Sequence, residues 1–591
     1  MSGPRAAADS ETMTTMSTEE RAPSPGENTA ENTAGNTAGP PTAARSSAIM
    51  AAGTLVSRVL GFLKIIALGY ALSATSALYD TFSAANNLPN LVYVMLAAGV
   101  FNAVLVPQII RASKQPDGGA DFTSRLVTLI VILLAALTLL VTGGAGVLMH
   151  LTTQGWSATQ LNLGIAFALW CLPQIFFYGL YATLGQILNA HGRFGWYMWA
   201  PAVNNVVAIA GLVVFVLTMG RNGEATPHTV ATWTPDQTVL LAGSSTLGVV
   251  CQALLLVWPL RRLRLGLRPR FGWRGIGLRA AGRVAGWTIL TMIVSNGVFL
   301  FATYPTASIA SGAKQPGDNI AGQGVLDTAS MIYTLPHAIV ALSIATVLFN
   351  RMSAASASGD VVAVRAALSR GLRTTAVATV FGAAALLVLA GPLGMLFAGG
   401  RPADGAIMGQ TVVLLAAGAP FFSIAYLMSR VFYAEEDART PFLVQCGLAV
   451  FGVLAAVGIQ LAYHAGVLPA SRLIFALALS YTVQNILAVV ITHPLIKRRL
   501  EGDYDGARII DSHLKMTLAA LGSAVVGGLL LHLAGGYDVG GFPWHSLLTA
   551  AVTITVTGLV MAAVYLGLLR ALRVRELTSF LDPFLRRLRR R

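Results

Sequence analysis

Apolar runs of roughly twenty residues or more recur along almost the whole chain, and that length is what a helix needs to cross about 30 Å of hydrocarbon. They fall near 47–73, 79–108, 126–149, 160–188, 197–219, 238–260, 284–303, 321–350, 374–398, 408–433, 441–463, 473–496, 515–534 and 545–569. In lipid, backbone polar groups are satisfied only inside helices or closed barrels, and runs this long are helical. The expected fold is therefore all-α and polytopic, with about fourteen transmembrane helices. Composition agrees, since 55% of the 591 residues are hydrophobic and only 11% are charged, far less charge than a soluble protein of this size carries.

The net charge of +15 invites a nucleic-acid reading, so the positions of the cations matter. They crowd alternate loops: Arg111, Lys114 and Arg125; Arg193; Arg261 through Arg283; then Arg351, Arg365, Arg370 and Arg373. Arg430 and Arg439, Lys497 to Arg499 with Arg508 and Lys515, and the tail after Arg570 continue the pattern. The loops between carry only Arg221, Lys314, Arg401 and Arg472. This alternation is the positive-inside rule, so it predicts both termini in the cytoplasm and implies no nucleic-acid partner. Residues 1–45, with the near-repeat ENTA, ENTA, GNTA from Glu27 to Ala38, lack apolar periodicity and read as a disordered cytoplasmic tail. They are too polar, and the run after them too long, for a cleavable signal. At the other end, 571–591 sets Leu577, Phe580, Leu581, Phe584 and Leu585 among arginines. That pattern fits an interfacial amphipathic helix on anionic membrane lipid, and equally a topology anchor.

The longest outward loops, near 220–237 and 304–320, hold no His/Cys/Asp/Glu cluster of metal spacing, no GxSxG and no Gly-rich phosphate loop. Cys171, Cys251 and Cys446 lie inside apolar runs without CxxC spacing and read as core thiols. A transporter or channel working from within its helices is favoured over an enzyme, and no catalytic residue is assigned.

Charges at membrane depth are costly, so each is a functional candidate until a partner accounts for it. Arg58 and Lys64 lie in the first run, about 120° apart on an ideal helix. Asp80 opens the second run, which continues through Asn86, Asn87, Pro89 and Asn90. Two readings stand side by side: a structural ion-pair set joining the first two spans, or the floor and wall of a site for an anionic ligand. Pro89 lacks an amide hydrogen and predicts a kink, which suits a hydrated cavity. Asn204, Asn205, Ser480, Tyr481, Gln484 and Asn485 fit interhelical hydrogen bonding. Asp327, Ser330 and Thr334 share a helical face ahead of Pro336. A carboxylate there must be paired, protonated or wet, which makes Asp327 a candidate for ion coupling or a residue at the outward water interface.

Ser57 to Lys64, Tyr79-Asp80-Thr81-Phe82, Asn87-Leu88-Pro89-Asn90-Leu91 and Gly99-Val100-Phe101-Asn102 ahead of Val106-Pro107 occur in an order that resembles the MurJ/MviN family of lipid II flippases. Ile187-Leu188-Asn189 with Gly192-Arg193-Phe194 and Ala200-Pro201, and Phe432 to Asp437 leading into Thr440-Pro441, extend the likeness. The resemblance implies a fold of the multidrug/oligosaccharidyl-lipid/polysaccharide superfamily, with two six-helix lobes around a central cavity plus two C-terminal helices. On that basis the chain divides into a tail 1–45, lobes 46–263 and 264–510, the added pair 511–570 and a basic tail 571–591.

The resemblance also implies a bacterial plasma-membrane protein that moves lipid II, undecaprenyl-pyrophosphate bearing a disaccharide-pentapeptide, to the outer leaflet by alternating access. Arg58, Lys64, Asp80, Asn86, Asn87 and Asn90 would then contact substrate. Fixed cations suit a pyrophosphate, Arg as a bidentate fork and Lys as a point charge. No cofactor is implied; sodium, protons or the membrane potential would drive transport, and cell-wall synthesis and division proteins are the expected protein partners. Tyr93 and Val94 stand where some family members carry a basic pair, and Met331 where they carry an arginine. This thinner cationic lining keeps another polyprenyl-linked glycan open as the cargo. An exporter of cationic drugs predicts an acidic cavity, which Arg58 and Lys64 oppose. A non-transporting scaffold for cell-wall enzymes would tolerate the loss of Arg58 or Asp80.

Overall fold

The computed structural model describes residues 40–96, 119–222, 228–263, 265–272, 278–315 and 317–577. By its contacts the chain divides after Ser47, and the unit beginning at Ala48 holds every site discussed below. Among the described residues the regular elements are all helical. The first part of the chain forms α1 (Pro40–Leu72), α2 (Ala77–Leu96), α3 (Ala120–Gly143), α4 (Ala158–Cys171), α5 (Gln174–Ala190), α6 (Phe194–Met219) and α7 (Ser244–Leu255). The second part forms α8 (Leu278–Val298), α9 (Tyr304–Gly312), α10 (Gln323–Tyr333), α11 (Leu342–Ala357), α12 (Val361–Phe397), α13 (Pro402–Ala416), α14 (Ala419–Ala434), α15 (Arg439–His464) and α16 (Leu473–Arg499). Two last helices follow, α17 (Gly506–Leu533) and α18 (Leu547–Ala571).

Twelve spans among the described residues are long and apolar enough to cross a membrane, and α13 with α14, bent by 43°, makes a thirteenth. The run expected at 79–108 becomes α2, which Asp80, Asn86, Asn87 and Asn90 make too polar for that count, and its end lies outside the described residues. Among the described residues, twelve or thirteen of the expected fourteen spans therefore qualify by length and composition. α1 starts at Pro40, ahead of the tail boundary expected at residue 45. Pro89 sits inside α2, which continues as helix on both sides of it.

Helix packing sorts the chain into groups. α2 lies on α4 and α5, α3 on α5, and α6 on α7; separately, α12 lies on α11 and α13, α14 on α16, and α8 on α15. α2 also reaches across to α8, α9 and α10. Each group has its own apolar core, one around Tyr79, Phe82, Phe167 and Phe215, another around Val325, Ile332, Met408 and Leu477. Residues of α1 and the turn after it join both, Ala71 and Leu72 in the first and Ala74 in the second.

Three helical paths widen into a single π turn, at Val239–Gly243, Phe299–Thr303 and His337–Ala341. Such turns re-aim side chains and concentrate at functional sites. The last follows Pro336, whose missing amide hydrogen removes one rung of the helical ladder. At the C-terminus α17 and α18 pack on each other and on α12. Val574 and Leu577 are buried against the same helices, and Glu576 is ion-paired with the buried Arg373 of α12. Leu577, expected on a lipid-facing surface with Phe580, Leu581, Phe584 and Leu585, is thus part of the protein core; the other four lie outside the described residues.

Candidate functional site

α2 runs along the seam between the two helix groups, and its polar residues divide between them. Asp80 sits in its first turn, fully buried. Its carboxylate accepts from the Lys314 ammonium at 2.5 Å, from the Ser311 hydroxyl at 2.8 Å and from the Gly324 amide at 2.9 Å. Lys314, only 3% exposed, also donates to the Thr75 carbonyl at 2.7 Å. Two ions taken out of water need this degree of hydrogen bonding to be tolerated. Gly322 permits the approach, because a Cβ there would stand 1.9 Å from the Asp80 carboxylate.

A second carboxylate closes the same end. Asp404, at the start of α13 and 3% exposed, accepts from Ser73 and Thr75 at 2.6 Å each, tying the turn after α1 to the other helix group. The Arg401 guanidinium donates to the Asn222 carbonyl nearby. The backbones are equally close, since Gly399, at φ +71°, would place a Cβ 2.1 Å from the Tyr70 nitrogen. A cavity of about 660 Å³ lies at this end, lined in part by Lys314, Arg401, His228, Asn222 and Asn319.

Two turns further along α2, the Asn87 amide donates to the Asp327 carboxylate of α10 at 2.7 Å. Tyr79 meets the neighbouring Thr328 hydroxyl at 3.0 Å. The two candidates singled out separately in the sequence, Asn87 and Asp327, are therefore one contact across the seam. Asn86 points the other way. Its oxygen accepts from Ser245 at 3.0 Å and from Gln174 at 3.4 Å within the first helix group, an interhelical role. Asn90 is exposed.

Arg58 and Lys64 enter different surroundings. Arg58 is half-buried, and its guanidinium donates to the Ala338 carbonyl at 3.4 Å, in the π turn after Pro336. Lys64 lines a small cavity of about 40 Å³ with Phe82, Asn86 and Ser245, and no hydrogen-bond partner for its ammonium occurs among the described residues. Tyr93, at the first position where a cation is missing, packs its ring on Tyr178 at 5.4 Å, while Val94 and Met331 are half-buried.

Sequence reasoning missed Lys314, Asp404, Ser73 and Thr75. One signal was available: Lys314 and Arg401 are two of the few cations on loops otherwise kept free of them. The arrangement as a whole is a two-part bundle whose halves meet through polar contacts concentrated at one end, with single cations further along α1.

The profile of the family "Lipid II flippase MurJ" matches residues 70–548 of this sequence. The chain belongs to the lipid II flippase MurJ family. Curated MurJ relatives agree. The "Probable lipid II flippase MurJ" of Rhizobium meliloti (strain 1021) is 26% identical over 440 residues, covering 70% of this chain and 76% of its own length. The "Lipid II flippase MurJ" of Burkholderia cenocepacia is 27% identical over 438 residues, covering 70% and 78%. Among solved structures, one of a MurJ in an inward closed conformation superposes with a TM-score of 0.62 at 19% identity, covering 88% of this chain and 99% of that one. An inward-facing multidrug resistance MATE family transporter of the MOP superfamily gives 0.59 at 16%, covering 74% and 94%. These two likenesses establish the fold. In this MurJ-family chain Asp80, Asn87, Lys314, Asp327 and Asp404 fall inside the matched stretch, whereas Arg58 and Lys64 precede it.

Proposed function

We propose that the chain is a transporter, with no catalytic residues, that carries lipid II from the inner to the outer leaflet of the plasma membrane by alternating access. Family membership supports the cargo, and the observation that carries the mechanism is the buried polar seam built on Asp80–Lys314. Hydrogen bonds and ion pairs re-form with water when they part, whereas an apolar seam of the same size would expose surface that water does not solvate. The seam is thus the kind of joint two lobes, 46–263 and 264–510, can open and close, with 511–570 added beside the second lobe. With both termini cytoplasmic, the seam lies at the outward end and the 660 Å³ cavity there opens toward the outer face.

Arg58 and Lys64 would offer charge to the pyrophosphate from the first helix, Arg58 once it lets go of Ala338. Asp80, Asn87 and Asn90 would serve the headgroup only when the seam is open, and Asn86 would hold the wall behind Lys64. Asp327, bonded to Asn87 across the seam, is the group through which a proton or sodium ion would sense that opening, with the membrane potential as the other source of drive. Partner proteins of cell-wall synthesis would meet the cytoplasmic face.

The test is depletion in the host while the outer-leaflet accessibility of labelled lipid II is followed. Wild type restores accessibility, Arg58→Ala does not, and Asp327→Asn alters its dependence on ion gradients. Unchanged lipid II exposure on depletion overturns the reading.

A further inference from the structure

A cavity of about 410 Å³ lies within the second helix group, between α8, α14, α15 and α16, and shares no lining residue with the seam; His337, next to the carbonyl that holds Arg58, packs on Phe422 and Tyr426 of its wall. Arg430 of α14 is the only charged residue among those lining it. It is half-buried, with its guanidinium 4.3 Å from the Tyr426 ring and 5.7 Å from the Tyr433 ring and bonded to the Tyr426 hydroxyl. No ion pair of Arg430 occurs among the described residues; of the carboxylates that follow it, Glu435 is paired with Arg499, Glu436 is exposed, and Asp437 accepts from the Thr440 hydroxyl at 2.6 Å. Across the cavity stand the side-chain amides of Gln445, Gln484 and Asn485.

Rings give a guanidinium partial compensation, because the attraction of a cation to a π face leaves its outer N–H groups free to donate. A cation held this way, without a carboxylate, in a cavity that also presents amides, is complementary to an oxyanion carried on a body able to hydrogen-bond. An arginine serving only as a topology anchor would extend into the headgroup water. We infer that this cavity is a second binding site, for an organic oxyanion, with Arg430 reading the carboxylate or phosphate and the amides reading the rest. The site is separate from the seam and stands whether or not lipid II is the cargo.

The test uses the full chain with Cys171→Ala, Cys251→Ala and Cys446→Ala, adding Ser429→Cys, whose side chain lines the cavity. Labelling rates are measured with the anionic sulfonatoethyl and the cationic trimethylammonioethyl methanethiosulfonates, each divided by its rate with free mercaptoethanol. The expected result is that the anionic reagent is favoured, that Arg430→Gln lowers the anion-to-cation ratio at least fivefold, and that Arg430→Lys keeps most of it. The ratio is internal to each protein, so a difference in yield does not mimic it. A ratio at or below one, or one indifferent to Arg430→Gln, overturns the assignment. Farnesyl pyrophosphate and inorganic pyrophosphate are then tried as protectants. Protection by the first alone identifies a membrane-borne ligand and equal protection by both a free anion, while protection by neither, or protection that survives Arg430→Gln, refutes the site.

Discussion

Asp80 and Lys314 show how two charges come to be kept in an apolar environment. Each is buried, and each has further polar contacts besides its partner: Ser311 and the Gly324 amide for the carboxylate, the Thr75 carbonyl for the ammonium. Removing one ion leaves the other unpaired, so Lys314→Met should destabilise the fold by about 3–5 kcal/mol, whereas breaking the pair on both sides costs much less. Thermal unfolding in detergent of Lys314→Met, Asp80→Asn and the double variant checks this, and the double variant is expected to lie above Lys314→Met. At a position outside the spans, burial and then the neighbouring Asp503 push the Tyr504 hydroxyl up to about 12 from its ordinary value of 10.0. A folded-state value above the unfolded one contributes stability that is fully present below pH 10 and disappears as pH rises toward 12. The difference in melting temperature between wild type and Tyr504→Phe should therefore change between those pH values and stay flat below them.

The elements depend on close backbone approaches at the same end of the bundle. Gly399 and Gly400 are adjacent and both have positive φ, +71° and +82°, yet their surroundings differ. An added Cβ at Gly399 meets the Tyr70 backbone at 2.1 Å, while at Gly400 it meets the flexible Leu547 side chain at 3.1 Å. Both alanine variants carry a backbone penalty of roughly 1–3 kcal/mol. Gly399→Ala must in addition push α1 away from the other group, so it should lower both stability and flipping, with Gly400→Ala losing stability alone. Lipid II accessibility assays beside thermal melts separate the two outcomes. Much of the helix plan was legible in the sequence because apolar length is a local property, readable wherever roughly twenty residues avoid charge. The seam was not, because Asp80 and Lys314 are 234 residues apart and no period links them. Asn87 and Asp327 were each singled out by the cost of polarity in lipid, but their mutual bond belongs to the packing of α2 on α10, which local pattern does not encode. Asn86, adjacent to Asn87 in the sequence, serves a different group because consecutive helical residues face about 100° apart.

For the whole molecule, the group of helices nearest the C-terminus is clasped by its last described residues. Arg373 of α12 is buried with Glu576 as its ion partner, and Val574 and Leu577 fill the same core. Ending the chain after Arg570 should cost roughly 3–5 kcal/mol through the orphaned guanidinium, and Arg373→Met in the shortened chain should recover a large part. Yield and melting temperature of the two shortened proteins measure this. The same pair also imposes an order on synthesis. Arg373 leaves the ribosome 203 residues ahead of the carboxylate that neutralises it. Six further helices, α13 to α18, are made in between, and until then the guanidinium lacks its partner. Helix α12 therefore reaches its paired, buried state late in synthesis, after α18 has been made.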